Sequence, residues 1–320
     1  MPFAHLVGIF PRSEKVVELT RAVERRRAAA DELVAAIAED ERRVIALQRD
    51  AGLDYVVDGQ FRWQDLLRPF SDGISGMHPG GIARWFDNNT FFRRPVITDM
   101  LRPTGQAVLS VLNLPALRDV KWKAVLPSPY ALARLSENAS GRSFNQIIDD
   151  ASAVVRAEAH ALAAAGCGYI QFNDPVLVTY AAVGEVPRAR AALEKVINGL
   201  AVRTALHTFF GDAGPLLGDL LAFPVDEIGV DLYAGTLDGA GAGGRRLATG
   251  KTLLVGAMDG RNSLIEDIDV LVDQARLARE WTGAEDVALV PNCDLEFLPW
   301  DVAAAKTARL GEAAEALRRG

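Results

Sequence analysis

Eight short apolar runs, spread along the whole chain, constrain this sequence most. They fall at residues 6–10, 55–58, 122–126, 169–173, 205–209, 227–232, 252–257 and 287–291. Each is mostly apolar along its length, as expected of a parallel strand buried on both faces. Helical patterns follow most of them. Residues 150–165, DASAVVRAEAHALAAA, end at Gly166, and residues 267–280 and 302–319 are similar. Pro187 sits where a helix over 188–198 can begin. Eight such units predict a (β/α)8 TIM barrel, with residues 1–320 as a single domain. An open dinucleotide-binding sheet is disfavoured because no strand is followed by GxGxxG opening a helix.

Charge and apolar content remove several function classes. Lys and Arg total 35 against 42 Asp and Glu, a formal charge of −7. A general nucleic-acid binder would carry a basic stripe instead. No apolar run approaches the roughly 20 residues needed to cross a bilayer. The start, MPFAHLVGIFPRSE, lacks the basic head and long apolar stretch of a secretory signal. Cys167 and Cys293 make no disulfide framework, so a reducing cytoplasm is expected.

Two stretches exceed a minimal barrel. Residues 13–50 are charged and helical, expected as one bent or two separate amphipathic helices covering the N-terminal side of the barrel. Residues 61–120 form a long excursion after strand two, carrying Trp63, Phe70, Trp85, Phe86, Phe91 and Phe92. Its length and aromatic content predict a lid or an added layer. GAGAGG at 239–244 reads as a loop.

In such a barrel the chemistry gathers at the C-terminal ends of the strands. In chain order those ends bring Arg12, then Asp58 and Gln60, then Ser128, then Gln171, Asn173 and Asp174. The later ends bring His207 and Asp212, Asp231, Asp259 with Arg261 and Asn262, and Asn292 with Cys293 and Asp294. Imidazole, carboxylate and thiolate at His207, Asp231 and Cys293 would suit a catalytic zinc with an open fourth position. The competing reading is a hydrogen-bonded structural His and a Cys packed as a small hydrophobe. Cys167 precedes strand four and reads as structural. Gly250-Lys251-Thr252 fails as a P-loop, since Arg245 stands where a glycine is required. No GxSxG elbow is present.

These strand ends carry a resemblance. The pieces are GIFPR (8–12), AGLDYVVDGQFRWQD (51–65), RWFDNNTFFRRPVI (84–97), KAVLPSPYALA (123–133) and GYIQFNDPVLV (168–178). LHTFFGD (206–212), DEIGVDL (226–232), GAMDGRNSLIED (256–267) and VPNCDLEFLP (290–299) continue them in order. Together they resemble cobalamin-independent methionine synthase and the core-sized relatives sharing its barrel. The resemblance implies a (β/α)8 fold and zinc held by a His-x-Cys pair, an acid and a final Cys. It also implies a methylated folate or another one-carbon donor.

Here His207 and Cys293 keep the first and last metal positions, Asp231 is the acid, and Phe209 replaces the middle Cys. The acids that would hold a substrate ammonium are replaced by Gln60 and Asn173, and Ile9 stands where serine is common. A changed acceptor is therefore expected. The leading expectation is methyl or alkyl transfer to a thiol or related small acceptor. Asp174, Asp259 and Arg261 would be catalytic, and Arg12, Gln60, Ser128, Asn173 and Asp212 would hold substrate. Two alternatives stay open. One is a metal-free decarboxylase or lyase-like barrel acting on a carboxylated substrate. The other is a non-catalytic subunit that joins a protein partner or its own copies.

Overall fold

The structure, a computed structural model, describes residues 3–181, 183–235, 237 and 250–319. The GAGAGG loop lies outside them. In chain order the elements begin with β1 (Phe3–Ala4), α1 (Glu14–Glu24), α2 (Ala30–Asp50) and α3 (Arg68–Gly73). Next come β2 (Ser75–Arg84), β3 (Phe91–Arg102), α4 (Leu114–Leu117), β4 (Lys123–Pro127), α5 (Pro129–Leu135) and β5 (Glu137–Asn138). Then follow α6 (Phe144–Ala164), β6 (Tyr169–Asn173), α7 (Val176–Thr179), α8 (Val186–Ile197), β7 (Arg203–His207) and α9 (Leu217–Leu221). The chain ends with β8 (Glu227–Asp231), β9 (Thr252–Met258), α10 (Ile268–Thr282), β10 (Asp286–Pro291) and α11 (Trp300–Arg319).

Seven strands form one sheet in the order β1-β10-β9-β8-β7-β6-β4, every pair parallel. Two isolated parallel bridges, His5 to Tyr55 and Val56 to Trp122, join β1 to β4 across the second-strand position. The curled sheet and this seam complete the eight-position ring of a TIM-like barrel. Residues 55–58 thus contribute two bridges instead of a full strand. Their missing neighbour is supplied by a side chain: Gln48 of α2 accepts from Val57 N at 3.0 Å and donates to Val57 O at 2.8 Å. The first strand also differs from expectation. It pairs at Phe3–Ala4, while residues 6–10 run on as a loop tied by Ile9 N to Asp294 and Phe10 N to Gly59 O. Strand β7 begins two residues earlier than its apolar run, because Arg203 and Thr204 already pair with Tyr169 and Ile170.

The helices follow their sequence signals. Helix α6 starts at Phe144 because Ser143 and Gln146 form a capping box. Gly283, at φ 66°, stops α10 in a left-handed cap. Residues 13–50 make two helices, α1 and α2. The placement of α1 differs from the expected one: its start lies beside Arg12, Leu298 and Trp300 on the C-terminal, mouth side. The excursion is an added layer, not a coil. Strands β2 and β3 form an antiparallel hairpin that β5 extends. Buried Glu158 of α6 anchors the segment after it by accepting from Ala107 N and Val108 N.

The barrel interior is polar where a minimal barrel would be aliphatic. Buried Lys123 donates to His5 Nδ1 at 2.9 Å and to Gln171 Oε1 at 2.6 Å. Burial pulls its ammonium well below the usual lysine range, against the opposing charges of Glu227 and Asp294. Tyr169 OH donates to Glu227, which also accepts from Arg203. The chain of bonds sets orientation upward. With Oε1 of Gln171 taken by Lys123, its Nε2 donates to Asn173 Oδ1 at 2.7 Å. That fixes the Asn173 amide at the mouth with Nδ2 unpaired.

Candidate functional site

The strand ends create a mouth lined by groups that the chain itself leaves unsatisfied. Gln60, held at φ 53°, is buried, and both its Oε1 and Nε2 lack partners. Asn173 Nδ2 and His207 Nδ1 are also buried and unpaired. Asn173 and His207 are register partners on β6 and β7, so these atoms belong to one strand-end layer. Orphaned buried polar atoms are costly, about 1–3 kcal/mol each, and mark a place where a ligand completes the bonding.

Glycines make room for this layer. A Cβ on Gly8 would lie 2.6 Å from Gln60 Oε1 and 2.8 Å from Asp294 Oδ1, which places those two groups together. A Cβ on Gly229 would lie 2.1 Å from His207 Nδ1. Beside Gln60 opens a cavity of about 270 Å³ lined by Arg12, Gln60, Gln64, Glu296 and apolar Ile9, Phe10, Phe61 and Leu298. Arg12 spends Nε and Nη2 on Phe61 O, at 3.1 and 2.9 Å. Burial pushes Asp58 and Asp294 up to about 7. Burial, with the charges of Asp294 and Asp65, pushes Glu296 to about 8. Burial thus moves all three acids from the usual carboxylate range toward neutral pH.

The expected zinc set does not fit as arranged. His207 Nε2 donates to Asn292 O at 2.9 Å, and burial lowers the imidazole to about 4, so the ring is neutral. Asp231 is saturated: Oδ1 accepts from Tyr233 N, Ala234 N and Asn292 Nδ2, and Oδ2 from Phe210 N. Cys293 is fully buried, and burial followed by the charges of Asp294 and Asp231 drives its thiol well above the usual range. Phe209, fully buried, fills the position that the resemblance gives to a third soft ligand. Among the described residues no group of three His, Cys, Asp or Glu side chains could hold a metal ion. His207 and Asp231 each bond Asn292, His207 through its backbone oxygen and Asp231 through Nδ2, so Asn292 braces two of the three expected ligands. Protein expressed with added zinc and then dialysed should retain less than about 0.1 zinc per chain by mass spectrometry, and near-stoichiometric metal would overturn this assignment.

The other expected residues divide. Arg12 and Gln60 both line the cavity, and Asn173 stands at the end of β6 beside His207, outside the cavity lining. Ser128 caps α5 through Ala131 N and donates to Asp174. Burial pushes Asp174 up to about 7. Asp259 accepts from Arg261 N at 2.9 Å and is itself held by Glu266, which accepts from Asp259 N. Arg261 is exposed, its guanidinium 5.3 Å from the Phe210 ring. Asp212 accepts from Gly214 N in an exposed turn and does not line the cavity. Glu296 is not among the expected strand-end residues, and Asn292 is among them without a role. Glu296 lies two residues past Asp294 in VPNCDLEFLP, where an acid between Leu295 and Phe297 was the available signal. An aromatic cover closes one side of the mouth. Phe86 at the hairpin tip stacks on Tyr180 at 5.3 Å and meets Phe210 at 5.4 Å. Phe210 in turn meets Phe209 and Phe297.

Comparison with known proteins agrees with this architecture. Residues 1–316 match the family described as "Cobalamin-independent synthase, Catalytic domain". A 5-methyltetrahydropteroyltriglutamate–homocysteine methyltransferase of Mycobacterium tuberculosis (strain ATCC 25618 / H37Rv) is 29% identical, over 94% of this chain and 43% of that protein. The chain thus spans less than half the length of the mycobacterial relatives it matches. A methionine synthase of Sulfolobus acidocaldarius is 24% identical, over 94% of this chain and 88% of that one. In fold, the chain is similar to a B12-independent methionine synthase from Shewanella sp. W3-18-1 in complex with selenomethionine. The TM-score is 0.78 at 20% identity, covering 100% of this chain and 98% of that one. By the match over nearly its whole length, the chain belongs to the family of the cobalamin-independent synthase catalytic domain.

Proposed function

We propose that this chain transfers a methyl or other small alkyl group to a carboxylate-bearing acceptor seated in the Arg12–Gln60–Glu296 cavity. The buried, wholly unpaired carboxamide of Gln60 carries the reading. A neutral amide offers donors and an acceptor but no charge, so it accommodates an acceptor's carboxylate or hydroxyl and does not select an ammonium. Arg12 supplies the cation for a carboxylate. Asn173 Nδ2 donates from β6, and His207 Nδ1 accepts without taking up charge.

The chemical role falls to the acids. Asp294, near neutrality, suits a general base. As the acceptor's X–H bond breaks, its proton goes to the Asp294 carboxylate. The X–CH3 bond forms while the donor's leaving atom keeps the electron pair. The aromatic cover keeps water from the transfer. Glu296, at about 8, favours a second reading, in which a protonated acid quenches a carbanion after loss of carbon dioxide from the substrate. Mass analysis separates the two, since one product gains a methyl group and the other loses carbon dioxide.

Calorimetric titration with homocysteine and with 4-mercaptobutanoate, its deaminated analogue, tests acceptor recognition. The two are expected to bind within about threefold of each other, and Gln60→Ala to weaken both at least tenfold, the scale of a lost buried hydrogen bond. Homocysteine binding more than about tenfold tighter would reveal ammonium recognition and sink the proposal.

A further inference from the structure

A second cleft, of about 220 Å³, opens between the hairpin and the end of α5. Its polar lining is Arg84, Arg94, Arg134 and Tyr180, and no Asp or Glu lines it. Arg134 is paired with Glu185 and lies 3.9 Å over the Phe144 ring, so its guanidinium is fixed in place. Arg84 and Arg94 are exposed, and their side chains have no hydrogen-bond or ion-pair partner among the described residues. Three arginines therefore line one small cleft, and the one carboxylate paired with any of them is Glu185 on Arg134. Convergent like charges oppose folding, and this excess appears on a chain whose overall charge is −7.

The cleft has a built apolar wall. Phe86, at φ 52°, stacks face to face on Tyr180, their planes 8° apart. Buried Phe92 stands behind them. A left-handed conformation is costly for a bulky side chain and is kept where surrounding contacts hold it. Here it carries the ring onto Tyr180 on one side and Phe210 at the mouth on the other. The cleft and the mouth thus share the Phe86 ring as a partition.

We propose that this cleft is an anion-recognition site, distinct from the Gln60 cavity, that takes the carboxylate-bearing end of a di- or tricarboxylate ligand. Planar guanidinium forks match carboxylates in bidentate geometry. The aromatic wall covers the carbon skeleton between them. The site stands whether or not the proposed transfer reaction does, because it uses none of the residues of that cavity.

Citrate is the probe, titrated calorimetrically into the full chain at constant ionic strength, with inorganic phosphate as the second ligand. Saturable citrate binding is expected, at least about tenfold tighter than phosphate, since two or more forks can engage it. The exposed double variant Arg84→Ala/Arg94→Ala should lose at least about tenfold in citrate affinity with unchanged melting temperature. Gln60→Ala should leave citrate affinity as it was. The inference is overturned if citrate binding does not saturate, if phosphate binds as tightly, or if the loss follows Gln60→Ala instead of the arginine pair.

Discussion

Lys306→Ala is expected to cost about 3–5 kcal/mol of stability, the largest effect of any single substitution foreseen here. Lys306 is wholly buried in α11, and its Nζ bonds both oxygens of Glu266, at 2.7 and 2.8 Å. Removing the ammonium leaves a carboxylate 9% exposed with no counter-charge. The cost is the stranded charge more than the lost pair, so Lys306→Met/Glu266→Leu should recover most of the stability. Urea unfolding measures both. Glu266 also holds Asp259 N and meets Tyr233 OH, so the single variant loosens the loop carrying Asp259 and Arg261 as well. A loss below about 1 kcal/mol for Lys306→Ala would mean that the pair does not bind this loop to the barrel.

The second large effect is a dependence on pH. Burial raises Asp58 in the native state to about 7, from 3.8. Below pH 4 both native and unfolded chains hold its proton, and it makes no difference to stability. Between pH 4 and 7 the unfolded chain releases the proton and the native chain does not. The native state then loses about 1.4 kcal/mol per pH unit, up to ~4 kcal/mol in all. Asp58→Asn keeps an acceptor for Gln60 N and carries no such cost. Its stability relative to the parent should therefore rise from pH 4 to about 7 and level off above. A flat difference across that range would show that Asp58 ionises normally, and would weaken the view of the neighbouring acids as near-neutral proton carriers.

The sequence was most legible where one face or both faces of an element decide its type. The buried runs at 169–173, 227–232, 252–257 and 287–291 became β6, β8, β9 and β10 with shifts of one residue at most at either end. It was least legible where a side chain replaces a backbone partner. Nothing local in 55–58 says that its ladder is two bridges long, because Gln48, nine residues from Val57, supplies the missing bonds. The candidate site was legible as a set of strand ends, and two of its residues, Arg12 and Gln60, line one cavity. Donor identity was not enough for the metal. Whether Asp231 can give a lone pair depends on four N–H groups, three of them from backbone whose path the sequence does not spell out. The arginine cleft was hidden because Arg84 and Arg94 come from opposite strands of the hairpin and Arg134 arrives from another element.

The amide clamp from Gln48 changes what counts as dispensable. Residues 13–50 resemble an appendage that could be trimmed to leave a leaner catalytic scaffold. Yet the stave they steady is the one from which Asp58 and Gln60 hang. Shortening the chain at its front would unfasten the weakest seam of the cylinder at the spot where an acceptor must be gripped.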